Sequence, residues 1–259
     1  MRSLQTDRPT WSWELMLDPA GHSGAQHMAI DASLLADSNS TGRAFLRLYR
    51  FSPPCLSLGR NESIAQYDQV AIGRLGLDVV RRPTGGGAVW HEREVTYAVA
   101  APIAAFGGLR AAYRAIHERL AAAIRSLGID ATLAPKQPPP TSTNLCQPGS
   151  CFATFAEGEV LVGSRKLIGS AQVRQGNAFL QHGSILLDGS QEMVRVASRQ
   201  SSVVSGETTL SAALGRPVAF EEVVEAIVAN WGEELTSPSL PQPPQLPPTS
   251  HALALLARE

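Results

Sequence analysis

Residues 159–188 constrain the fold more than any other part of the chain. Three runs, EVLVG (159–163), KLIGSAQVR (166–174) and AFLQHGSILLD (178–188), alternate apolar and polar side chains and are joined by the short breaks GSR and QGN. Alternation of strand length with tight turns between predicts an antiparallel meander. In and just before it stand the side chains best suited to chemistry. Cys151 follows a Pro-Gly-Ser turn, Lys166 follows a Gly-Ser turn, and His182 precedes a Gly-Ser step. A thiol and an amine on a strand framework point to nucleophilic acyl chemistry, in which a weak nucleophile is activated by a neighbour. Alternation does not by itself bring Cys151 and Lys166 to one side, because Cys151 lies outside the meander.

The rest of the chain supplies helices and further strands. Residues 11–18, 44–51, 55–60, 77–83, 94–103 and 129–135 read as strands, the proline-bounded SPPCLSLGR leading into the third. Helical spacing is predicted over 24–37, with NSTG ending it, and over 64–76, stopped at Gly76. The clearest helix is 107–128, where Leu109, Tyr113, Ile116, Leu120, Ile124 and Leu127 form one apolar stripe. His117 lies on the flank of that stripe and is expected to face solvent. A short helix at 191–197 and an amphipathic one at 220–235 follow. Together these elements predict an α+β fold, a mixed and largely antiparallel sheet with flanking helices. Three consecutive prolines in KQPPPTSTNLCQPGS (136–150) exclude helix and central strand, so Cys151 is expected at the end of a stiffened loop. Residues 1–235 are expected to form one catalytic domain, and 236–259 a proline-rich, disordered tail.

Composition narrows the function. A formal net charge of −1 provides no field for a polyanion, so nucleic acid is not an expected partner. The N-terminal stretch has no apolar core of a secretion signal, and no run approaches the ~18 apolar residues of a membrane span. A cytoplasmic location with no membrane partner is expected. The three cysteines, Cys55, Cys146 and Cys151, include no CxxC pair. Their odd number argues against a disulfide framework, and their spacing to His91 and His182 matches no zinc pattern. No metal is expected. Cys55 reads as a buried packing residue.

The most unusual punctuation is RRPTGGGAVWH (81–91). Gly85, Gly86 and Gly87 carry no Cβ, so backbone amides there could approach a phosphate or carbonyl oxygen, with charge from Arg81 or Arg82. A plain hairpin turn reads equally well from these residues, and neither a Walker loop nor GxGxxG is present. His91 and His182 fit either pocket-shaping or purely structural roles.

These residues resemble the lipoate–protein ligase and octanoyltransferase family, which shares a fold with the biotin–protein ligases. The resemblance covers about residues 11–235 and rests on four blocks in order: LRLYRFSPPCLSLGR, RRPTGGGAVWH, GSRKLIGSAQVR and QHGSILLD. It implies the biotin/lipoyl protein ligase fold, related to class II synthetases. Two chemistries share that scaffold. Ligases adenylate lipoate with ATP, whereas octanoyltransferases pass octanoate through a cysteine thioester. PGSCF, with Cys151 fifteen residues before Lys166, resembles the nucleophile block of cysteine-dependent octanoyl-ACP:protein transferases, and Gln172 and Gln181 also fit them. The proline-rich chain after Ser237 is too short for the accessory domain that such ligases carry or recruit.

The resemblance therefore implies an octanoyltransferase that needs no cofactor, with octanoyl-acyl carrier protein as donor. The implied acceptor is a lipoyl-domain carrier such as glycine cleavage H protein or a 2-oxoacid dehydrogenase E2. Cys151 would be the nucleophile, and Lys166 would pair with its thiolate and later, once neutral, accept a proton. Arg82, Gly85, Gly86, Gly87, His91, Gly169, Ser170 and His182 would bind substrate, the amides of the glycine loop or around Gly169–Ser170 holding an oxyanion. The alternatives are an ATP-dependent ligase, an octanoyl amidotransferase acting between lipoyl carriers, and a non-catalytic acyl- or carrier-binding module.

Overall fold

Trp13–His22 (β1) runs into a capping box. The Ser23 hydroxyl accepts from the Gln26 amide, the Gln26 side chain accepts from the Ser23 amide, and α1 (Gly24–Thr41) begins. Gly42, left-handed, ends it, so the Asn-Ser-Thr expected beyond the helix forms its last turn. The structure is a computed structural model that describes residues 11–136, 151–152, 156–199, 206–232 and 234–236. The predicted proline-rich loop, Cys146 and the C-terminal tail lie outside the described residues, apart from Lys136 and Thr236.

β2 (Ala44–Phe51) and β3 (Cys55–Leu58) precede the first departure from expectation. Only Gln69–Leu75 (α2) of the helix predicted over 64–76 is α-helical. Asp68 breaks it: its backbone is extended, its carboxylate accepts from the amides of Val70 and Ala71, and its own amide donates to the Ala197 carbonyl. A side chain that caps so well favours a start where apolar spacing alone reads a continuation. β4 (Asp78–Arg81), β5 (Val89–His91) and β6 (Glu94–Pro102) follow, then the long helix α3 (Leu109–Ser126) and β7 (Ala131–Leu133).

β8 (Val160–Val162), β9 (Arg165–Lys166), β10 (Ile168–Gln175) and β11 (Ala178–Leu186) occupy the predicted meander, but it is split between two sheets. β7, β8 and β9 form a small antiparallel sheet, and the chain leaves it at Leu167. The Lys166 amide donates to the Gly206 carbonyl and the Thr208 amide donates to the Lys166 carbonyl, which pulls this turn away from the large sheet. After α4 (Glu192–Ala197) and α5 (Leu210–Leu214), α6 (Phe220–Ala229) stops short of 235. Residues Leu235–Thr236 instead form β12, parallel to β1.

The large sheet has the order β10-β11-β6-β2-β1-β12, antiparallel from β10 to β2 and parallel beyond. β2 and β6 are buried along nearly their whole length because helices cover both faces. α3 and α6 pack on one face against Leu46, Leu48, Val95, Val99 and Phe179. α1 packs on the other against Phe45, Tyr49, Ala98, Ala100 and Leu180. A third sheet, β4-β3-β5, rests on α2 and α4 through Leu56, Leu58, Ile72 and Val194. No described helix is long and apolar enough to cross a membrane.

Candidate active site

The large sheet and the β4-β3-β5 sheet meet at one narrow cleft. Its lining joins Cys151 and Arg82 to Gly169, Ser170 and Ala171 of β10, His182, Gly183 and Ser184 of β11, Thr96, Tyr49 and Phe51, with Met28 of α1 above. The register explains its direction. Gly169, Ser184, Thr96 and Tyr49 are successive cross-strand partners from the sheet edge inward. Three interstrand steps span roughly 14 Å. The cleft is therefore a slot across the sheet, with Cys151 at the edge strand and aromatic rings at the far end.

Many lining groups are polar, yet they spend their hydrogen bonds on one another. Ser57 of β3 lies 2.7 Å from His91 Nε2, and His91 Nδ1 lies 2.6 Å from the Glu94 carboxylate, which also accepts from Thr96 and Ser184. Thr84 lies 2.7 Å from His182 Nε2, and His182 Nδ1 lies 3.0 Å from Asp31. Asp31 in turn holds Arg47 at 2.9 Å and the Tyr49 hydroxyl at 3.0 Å. Burial pushes the His182 pKa down, so the neutral ring donates from Nδ1 to Asp31 and accepts from Thr84. Burial opposes ionisation of Asp31, but His182 and Arg47 outweigh it and hold its pKa low. A wall whose polar groups are satisfied internally presents little to a polar ligand and suits an apolar chain. His91 and His182, both nearly buried, thus serve as pocket walls fixed at both ring nitrogens.

The two arginines of the loop are held by the backbone around it. Arg81 donates to the carbonyls of Gly59, Arg60 and Glu62. Arg82, 5 % exposed, donates to the Ser57 carbonyl and hydroxyl and to the carbonyls of Gly85 and Gly87, at 2.5–3.0 Å. Arg82 therefore shapes the glycine loop by gathering its carbonyls. A methyl on Gly59 would meet the Gly86 carbonyl at 2.0 Å, and Gly86 itself has φ +85°, so close backbone approach requires both glycines. Gly85 has open space where a side chain would begin.

The Cys151 amide donates to the Ala88 carbonyl at 3.0 Å, hanging the cysteine on the end of the glycine loop. Phe152 next to it is buried against Val89 and Leu186. Gly169 makes room for that ring, since a methyl there would lie 2.9 Å from two of its carbons. The Ser170 hydroxyl points away from the slot to Tyr97 at 2.6 Å and His117 at 2.8 Å. His117 is fully buried, contrary to the solvent-facing position expected of it. These polar partners on β10 and β6 draw the flank of α3 inward. Burial, with Lys166 nearby, lowers the His117 pKa to about 3.

Lys166 has a partner that the sequence did not assign. Its Nζ lies 2.8 Å from the Glu159 carboxylate and donates to the main-chain carbonyl of Cys151 at 2.7 Å. Glu159, 3 % exposed, further accepts from the Tyr113 hydroxyl at 3.2 Å and the Ala156 amide at 2.8 Å. The cysteine and lysine are thus brought together as expected, but the lysine's charge meets a carboxylate that sequence reasoning did not assign. The signal existed: Val162 pairs Arg165 and Leu161 pairs Lys166, which puts Glu159 diagonally beside Lys166 on one face. Cys55 is buried, as expected, and burial holds its thiol well above the ordinary value. Among the described residues no group of three or more His, Cys, Asp and Glu could hold a metal ion.

Against known proteins, the profile described as the lipoyl protein ligase A/B catalytic domain matches residues 23–232. The chain is 37% identical over 241 residues to the octanoyltransferase LipM of Kyrpidia tusciae, covering 86% of this chain and 87% of that one. It is 36% identical over 192 residues to the octanoyltransferase LipM of Bacillus subtilis, covering 70% and 66%. The fold is similar to a lipoate-protein ligase A bound with ATP (TM-score 0.72, 18% identity, 96% of this chain and 95% of that chain). It is also similar to a bi-partite lipoate protein ligase from Thermoplasma acidophilum (TM-score 0.67, 17% identity, 96% and 93%).

Proposed function

The chain belongs to the lipoyl protein ligase A/B catalytic-domain family, and on that premise we propose that it is an octanoyltransferase of protein lipoylation working through a Cys151 thioester. The observation that carries the reading is the position of Cys151, at the edge of a slot whose polar wall groups are satisfied internally, with Lys166 bonded to its carbonyl and its amide hung on the end of the glycine loop. Curated relatives about a third identical along most of the chain carry the name octanoyltransferase, which supports transfer over ligation.

The donor is octanoyl-acyl carrier protein and the acceptor a lipoyl-domain carrier such as glycine cleavage H protein or a 2-oxoacid dehydrogenase E2, met in the cytoplasm. Residues 1–235 act as the catalytic domain, and 236–259 are an appendage to it. The Cys151 thiolate attacks the donor carbonyl; a C–S bond to Cys151 forms, the donor C–S bond breaks, and the departing thiolate takes a proton from Lys166. The neutral amine of the acceptor lysine then attacks. A C–N bond forms, its proton passes to Lys166, and Cys151 leaves as thiolate, restoring the starting state. Exchange of thioesters is near thermoneutral, and amide formation makes the whole sequence favourable without ATP. Arg82, Gly85, Gly86, Gly87, His91, Gly169, Ser170 and His182 bind substrate by shaping the loop and slot, and loop amides are the candidates to hold the oxyanion.

Intact mass after incubation with octanoyl-acyl carrier protein and no ATP tests this. Wild type should gain about 126 Da as a hydroxylamine-labile adduct, as thioester catalysis requires. Cys151→Ala should gain nothing, and apo lipoyl carrier should discharge the wild-type adduct. Charging only by another octanoylated carrier would identify an amidotransferase, and acyl activation only with ATP would identify a ligase.

A further inference from the structure

Two cations flank Cys151, and the geometry separates their work. Lys166 is held at 2.8 Å by Glu159, with both side chains at most 4 % exposed. Coulomb attraction at that range in a dry site ties the ammonium to its carboxylate, and the pair as a whole carries no net charge toward the thiol. Arg82 is different. Its partners at the loop are a hydroxyl and neutral carbonyls, those of Ser57, Gly85 and Gly87. A methyl built on Gly86 would lie 3.2 Å from Arg82 Nη2 and 3.7 Å from Cys151 Sγ, so guanidinium and sulfur face the same point.

We propose that Glu159 is the positioning partner of Lys166, holding it as one half of a neutral, proton-carrying pair, and that Arg82 supplies the positive charge favouring the Cys151 thiolate. This rests on the acyl-transfer reading above and divides its labour. Glu159 holds the Lys166 nitrogen in place, so that after the first proton is given up the amine stays where it can receive the proton of the attacking acceptor lysine. Tyr113, hydrogen-bonded to Glu159, fixes the carboxylate, and burial keeps that phenol protonated. The charged form of Arg82 is itself destabilised by burial, and Cys151, the Glu62 carboxylate and Tyr67 act in the opposite sense, none of them a hydrogen-bond partner of its guanidinium. The other titratable groups of the slot, His91 and His182, are bound at both nitrogens by Ser57 and Glu94 and by Thr84 and Asp31, and burial keeps the Tyr97 phenol protonated.

The test is the pH profile of Cys151 alkylation by iodoacetamide, in a Cys55→Ala/Cys146→Ala background, which needs no acyl donor. Arg82→Met should raise the midpoint by about one pH unit, the usual scale for loss of a nearby charge. Lys166→Met/Glu159→Gln, which removes the neutral pair as a unit, should leave it unmoved. A midpoint raised by the double variant as much as by Arg82→Met would overturn the proposal. Should Arg82→Met not fold, Arg82→Lys and the double variant decide: wild-type midpoints in both support the assignment, and a rise in the double variant alone overturns it. In single turnover, Glu159→Gln should slow discharge to the acceptor at least tenfold more than charging of Cys151, with Glu159→Asp recovering part of the loss. Equal slowing of both halves would overturn the role of Glu159. Failure of Cys151 to charge in wild type would instead refute the acyl-transfer reading and leave the alkylation result standing.

Discussion

At the scale of single residues, the site depends on positions where a side chain is absent as much as on reactive groups. Gly169 is the sharpest case. The Phe152 ring fills the space its Cβ would take, and that ring is 1 % exposed, so it has nowhere to retreat. Gly169→Ala is expected to cost about 1–3 kcal/mol, the usual range for overpacking a filled core. Because Phe152 anchors Cys151, the variant should also lose adduct formation at temperatures where it remains folded. Urea midpoints with adduct yields check this, and full adduct yield in a destabilised variant would refute the anchoring role. Cys151 and Lys166 stood out in sequence because each stands beside turn residues, although strand alternation alone did not bring them together. Their partners did not stand out. Glu159 reads as an ordinary strand start until the hairpin register is drawn, and the burial of His117 depends on Ser170 and Tyr97, far away in sequence.

Among the elements, strands proved easier to read than the ends of helices. The alternating runs at 44–51, 94–103 and 178–188 are strands of the large sheet almost to the residue. Helix limits depended on groups that periodicity does not weigh: the Asp68 carboxylate divides 64–76, and α6 gives way to a strand that pairs with β1. The division of the meander at Leu167 was hidden because its cause, residues 206–208, lies forty residues downstream. Asp68 offers a direct check. It accepts from two amides at 3.0 Å at the start of a seven-residue helix. Asp68→Ala should therefore destabilise the protein by about 1 kcal/mol, within the usual 0.5–2 kcal/mol of a lost cap. Asp68→Asn, which keeps an acceptor oxygen, should recover most of that in the same denaturant titration.

The whole molecule stores its pH sensitivity on both faces of the large sheet. His27 on α1 and His117 on α3 are each fully buried, and each has its pKa lowered from 6.5 to about 3. Desolvation is the main cause in both, reinforced by Arg47 beside His27 and by Lys166 beside His117. In the unfolded chain both rings take up a proton as pH falls through about 6.5, whereas in the fold neither does until about pH 3. The unfolded state therefore binds more protons across that window, and stability is full above pH 6.5 and declines as pH falls toward 3. His182, also held low by burial, acts in the same sense. Between pH 7 and pH 5 the loss should approach roughly 2 kcal/mol per histidine, before the carboxylates begin to titrate. Urea unfolding at the two values measures it, and His117→Asn should flatten the dependence by close to one proton. A wild-type stability unchanged between pH 7 and pH 5 would mean that these rings are already protonated in the fold.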